Sequence, residues 1–124
     1  MALVIAASPT LVPAISEAKQ VNTRPLSSCG TALLTSTPVF SYGAQIGTVY
    51  LYYNSCRLTV WGSITISNPN DYGCVETHSN GGKTTACGYG HLDAPELPYK
   101  ATTSYAYGYI YDSGGVFSAT TSTY

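Results

Sequence analysis

The chain has 124 residues, with five Lys or Arg against six Asp or Glu and a formal net charge of −1. Five cations cannot build the clustered positive surface that phosphate neutralisation requires, which argues against DNA or RNA as a partner. The length suits one domain, and twelve tyrosines among abundant Ser, Thr, Gly and Asn favour an all-β chain.

The N-terminal run MALVIAASPTLVPAIS is apolar and uncharged, and Ser16 and Ala18 fit a small-x-small cleavage site before Lys19. Residues 1–18 therefore read as a signal peptide that lacks its basic first part, with Met1 inside the apolar region. Pro9, Pro13 and the short apolar length argue against a membrane span, which needs about 20 residues, so no membrane association is expected after cleavage. Residues 19–28, KQVNTRPLSS, have no periodicity and read as an extended arm. Such an arm can add as a strand to the edge of a partner's sheet, with Val21 and Leu26 as its apolar contacts.

Cys29, Cys56, Cys74 and Cys87 are an even set in a small exported chain, the pattern of two disulfides. After Cys29, two short strands are expected, Thr31 to Ser36 and Val39 to Tyr42, separated by a Thr-Pro break. In the next run, Val49, Leu51 and Tyr53 oppose Tyr50 and Tyr52, while Leu58, Val60, Ile64 and Ile66 oppose Thr59, Trp61, Ser63 and Thr65. With turn residues Asn54 and Ser55 between the halves, this predicts a long antiparallel hairpin.

Asn68 to Gly73 forms a further turn, leading into CVETHSNGGKTTAC. Asn80-Gly81 at its centre is the strongest signal for a type I′ hairpin. Counting outward, Ser79 faces Gly82, His78 faces Lys83, and Cys74 faces Cys87 at a close, non-hydrogen-bonded position within disulfide range. The pairing Cys74–Cys87 leaves Cys29 for Cys56. Residues 88–100 hold two prolines and read as a loop. A last hairpin joins TSYAYGYIY to VFSATTSTY across DSGG. Turn signals at this spacing predict an antiparallel β-sandwich or small barrel stapled by two disulfides.

Cys74-x3-His78 is echoed by Cys87-x3-His91, a formal zinc set. Four strand residues span about 13 Å, however, so one strand cannot hold an ion with both ends, and the disulfide reading takes the same cysteines. A serine triad would have to recruit His78 or His91 with Asp71, Asp93 or Asp112 from separate loops, and no spacing selects a carboxylate pair. Neither catalysis nor a cofactor is expected.

Tyr105, Tyr107, Tyr109 and Tyr111 alternate with Ala106, Gly108 and Ile110, so a strand here carries a phenol ladder over a face of smaller side chains. Tyrosine gives large, rigid contact area with a polar tip, and the ladder is expected to be partly exposed as a binding surface, with Trp61 a further candidate.

The run GTVYLYYNSCRLTVWGSI, Gly47 to Ile64, resembles segments of small secreted actinobacterial proteins. Together with the size, the four cysteines, the secretory start and the all-β pattern, it makes the mature chain resemble the small adaptor subunit of Streptomyces umbrella toxin particles. The resemblance implies a non-catalytic adaptor that links a repeat-ring stalk protein to a lectin-like subunit. The expected partners are thus larger secreted proteins. The alternatives are a carbohydrate or cell-wall binding module using the Tyr and Trp faces, and an inhibitor presenting Ser79 to Lys83 to an extracellular hydrolase.

Overall fold

The computed structural model describes residues 29–124, and its strands lie in two antiparallel sheets with no helix among the described residues. The first sheet runs in the order β1 (Thr31–Ser41), β2 (Ala44–Asn54), β3 (Thr59–Ile66) and β6 (His91–Asp93), and β7 (Leu97–Pro98) also pairs with β3. The second runs β5 (Gly82–Tyr89), β4 (Tyr72–Ser79), β8 (Tyr105–Asp112) and β9 (Gly115–Thr120). The signal peptide and the arm with Val21 and Leu26 lie outside the described residues.

Alternation decides which side of each strand is buried. Val39, Val49, Leu51, Val60, Ile64 and Ile66 of the first sheet meet Val75, Ala106 and Ile110 of the second in one core. Leu51, Ile64 and Ile110 are fully buried, and each contributes roughly 1.5–3 kcal/mol by leaving water. The sheets approach closely because the inner positions include glycine. A Cβ on Gly62 would lie 2.7 Å from the Glu76 carbonyl oxygen, and one on Gly108 would lie 2.6 Å from Val49 Cγ2. The Gly62 N–H also donates to Thr77 Oγ1 at 2.8 Å, a polar bond between the sheets that satisfies a fully buried hydroxyl.

The hairpin of β4 and β5 has the register its Asn-Gly turn dictates: Ser79 pairs Gly82, His78 pairs Lys83 and Cys74 pairs Cys87. Asn80 and Gly81 both have positive φ, 52° and 82°, as a type I′ turn demands. The Cys74 and Cys87 Cα atoms are 4.1 Å apart and the sulfurs are bonded. Cys29 and Cys56 are disulfide-bonded as well. The β2–β3 hairpin also forms, and Asn54 Oδ1 organises its turn by accepting the N–H groups of Cys56 and Arg57 at 2.8 and 3.1 Å.

Three expectations are corrected. The break at Thr37-Pro38 does not occur: β1 is continuous from Thr31 to Ser41, because it is an edge strand whose outer side tolerates a proline, and its irregularity is taken up by bulges at Leu33/Thr35 and Val39/Phe40. Tyr42 then sits in the two-residue turn with Gly43, at φ 49°. Leu58, placed by alternation on the core face, is in the β2–β3 turn at φ 55° and is 61% exposed. Residues 88–100 contain β6 and β7, which run one after the other along the outer side of β3 and satisfy its backbone. Strands this short leave no period to read.

Candidate binding surfaces

Because Ala106, Gly108 and Ile110 are buried, Tyr105, Tyr107, Tyr109 and Tyr111 all point away from the core. The β4–β8 register sets them opposite His78, Glu76, Cys74 and Tyr72 respectively. Across the hairpin, Cys74 faces Cys87 and Tyr72 faces Tyr89. On the other flank Val116, Ser118 and Thr120 pair with Tyr111, Tyr109 and Tyr107. The outward side of the second sheet, about 20 Å long and 14 Å across its four strands, therefore carries a row of four tyrosines along β8, with Tyr72 and Tyr89 beside Tyr111 and the Cys74–Cys87 bridge beside Tyr109.

The rings brace one another. Tyr107 and Tyr109 have centroids 5.6 Å apart, Tyr109 and Tyr111 5.9 Å, and Tyr72 lies 5.4 Å from Tyr89 and 6.0 Å from Tyr111. Exposure is greatest at the Tyr89 end, where Tyr89 is 59% and Tyr111 46% exposed, and falls to half-buried along the ladder. Among the described residues, no hydrogen-bond partner occurs for the hydroxyls of these six tyrosines. Burial pushes the Tyr109 phenol above its ordinary value of 10.0, and Tyr111, Glu76, Tyr107 and Tyr72 add to the shift because each disfavours a phenolate at its side.

At the opposite end the face dips into a groove of about 440 Å³ lined by Glu76, His78, Tyr105, Tyr107, Thr120 and Thr123. His78 lies flat on Tyr105, with centroids 4.5 Å apart and planes 5° from parallel, and its Nε2 is 2.7 Å from Glu76 Oε1. These contacts join His78, Tyr105 and Glu76 into one wall of the groove.

Trp61 is not part of this surface. It projects from β3 on the outward side of the first sheet, half-buried, stacked on its cross-strand partner Tyr52 with centroids 5.3 Å apart and planes 20° apart, and Tyr50 continues the row. The two aromatic candidates thus belong to opposite faces of the sandwich. The formal zinc set is also divided: Cys74 and Cys87 are joined to each other, His78 lies on β4 and His91 on β6 of the other sheet. The Ser79–Lys83 hairpin tip is tied down, since the Asn80 N–H donates to Thr103 Oγ1 at 2.8 Å and Ser79 Oγ to the Pro98 carbonyl at 2.8 Å.

Sequence reasoning missed Tyr72, Tyr89, Glu76 and His78 as members of the tyrosine face. The signal for two of them was present: carrying the hairpin register two steps beyond Cys74–Cys87 pairs Tyr72 with Tyr89 on the same side. Which further strand then joins β4 is a tertiary choice, and pairing with β8 is what brings this pair against the ladder.

These features define a disulfide-stapled antiparallel β-sandwich with an aromatic surface on each outer face. Compared with protein-family models, curated proteins and solved structures, the chain matches none.

Proposed function

We propose that this domain is a non-enzymatic protein-binding module whose contact surface is the tyrosine face of the second sheet. The observation that carries this reading is the gathering of Tyr72, Tyr89, Tyr105, Tyr107, Tyr109 and Tyr111 on one outward face, held rigid by ring contacts and the central disulfide. Tyrosine is enriched at protein interfaces because it offers large area at low conformational-entropy cost and keeps a hydroxyl for a partner's polar groups. The oxidised cysteines fit an extracellular compartment. Within this reading, the resemblance described above makes the module an adaptor between subunits of a secreted antibacterial complex.

The test is capture of partners from the producing organism's culture supernatant on the tagged chain, comparing it with Tyr107→Ala/Tyr109→Ala. Truncating a central interface tyrosine costs about 2 kcal/mol or more, so the double variant should lose a stoichiometric secreted partner that Tyr50→Ala retains. Equal capture by a folded double variant would remove the tyrosine face as the contact surface.

A further inference from the structure

The Trp61 face carries a second site of different chemistry. Tyr52 covers one side of the indole, and the other side walls a hollow of about 570 Å³ completed by Asp93, Ala94, Pro95 and Glu96. The hollow exists because the strand beside β3 is interrupted there: β6 pairs with Ser63, Ile64 and Thr65, β7 with Thr59 and Val60, and the connection between them bows away opposite Trp61.

The bowed connection is pinned along its length. The Ala94 N–H donates to the Gly62 carbonyl at 2.9 Å, and the Pro95 carbonyl accepts from Thr84 Oγ1 of the other sheet at 2.5 Å. The Glu96 carboxylate accepts from Arg57 Nε at 3.0 Å and from Thr59 Oγ1 at 2.6 Å, and its second oxygen is paired with Arg57 Nη2. The bonds from Arg57 and Thr59 hold the Glu96 carboxyl below its ordinary value of 4.5. The walls are therefore formed before any ligand arrives, which lowers the ordering cost of binding.

We propose that this hollow binds a sugar ring of a neutral oligosaccharide. A pyranose presents C–H bonds from one side, which match the negative face of an indole, and hydroxyl pairs at its rim, which match carboxylate acceptors and guanidinium donors. Asp93, which lines the hollow and lies 3.3 Å from His91 Nε2, offers the acceptor, and Arg57, paired with the lining residue Glu96, is the guanidinium beside it. Pairing with Arg57 engages the Glu96 carboxylate, which leaves Asp93 as the lining carboxylate open to a ligand hydroxyl. This surface lies on the sheet opposite the tyrosine face, so one domain has room for a glycan on one side and a protein on the other.

Trp61 is the only tryptophan in the chain, and its emission reports on this hollow directly. The full chain, disulfides oxidised, is titrated with cellohexaose, maltohexaose and chitohexaose, and with tetramethylammonium chloride as a cation control. A saturable change in emission with at least one oligosaccharide is expected below about 10 mM, the weak range for a single-ring site. Asp93→Ala should weaken it about tenfold, the worth of one hydrogen bond to a charged group, and Tyr107→Ala should leave it unchanged. The proposal is overturned by no saturable response to any of the three sugars, by a response to the cation alone, or by unaltered affinity in a folded Asp93→Ala protein.

Discussion

Replacing Gly108 with alanine should destabilise the domain although it adds a single methyl group. The new Cβ would lie 2.6 Å from Val49 Cγ2 and 3.0 Å from Ile64 Cδ1. Ile64 can swing its terminal methyl aside. Val49 has far less freedom, because it is fully buried and its β-branched side chain is stiff at χ1. The sheets must then part or the strand must shift, and overpacking of this kind costs roughly 1–3 kcal/mol. Alanine also restricts the unfolded chain, which offsets about 0.4–1 kcal/mol. The net loss is about 1–2 kcal/mol, or about 4–16 °C in midpoint for a domain of this size. Thermal and urea unfolding followed by Trp61 emission measures it. Val49→Ala made in the Gly108→Ala background vacates the contested space, so the two changes should couple favourably by about 1 kcal/mol. Parent-like stability of Gly108→Ala, or strict additivity in the double variant, would refute the claim that glycine here sets the sheet separation.

Three further outcomes follow from the geometry. Replacing Cys74 and Cys87 together by serine opens a loop of sequence separation 13, and the chain-entropy relation gives a loss of roughly 3 kcal/mol in urea unfolding; a loss below about 1 kcal/mol would mean that the Asn80-Gly81 turn already restricts the unfolded hairpin. Because burial and its neighbours raise the Tyr109 phenol, its contribution to stability is fully present below the ordinary value of 10.0 and is lost as pH rises through the folded value. Ultraviolet titration of the phenolates should therefore show a late-ionising component that Tyr109→Phe removes. The Glu96 carboxyl is depressed by Arg57 and Thr59, so its small, salt-screened contribution is present above the ordinary value and disappears as pH falls through the folded one; carboxyl NMR should place its titration below 4.5, and Thr59→Val should move it upward.

Local chemistry made much of this domain legible in the sequence. Asn80-Gly81 demands positive φ at both positions, and that single turn fixes the β4–β5 register and with it the Cys74–Cys87 bridge. Alternation in Tyr105 to Tyr111 places four phenols on one side of a strand whatever surrounds it, and the same rule puts Val49, Leu51, Val60 and Ile64 inward. Other features depend on neighbours that are distant in sequence. Pro38 is compatible with a strand only because β1 lies at a sheet edge, and β6 and β7 are strands only because β3 offers them a partner. Alternation also could not say which side of β8 would be covered: small Ala106 and Gly108 turn inward because the opposing sheet approaches too closely there for larger side chains. Pairing β8 with β4 then unites the ladder with Tyr72 and Tyr89, while Trp61 falls on the other sheet beside the bowed segment after Asp93. Backbone preference and period determined the strands and their faces, whereas the choice of strand partners, which is a contest among long-range pairings, decided which faces became surfaces.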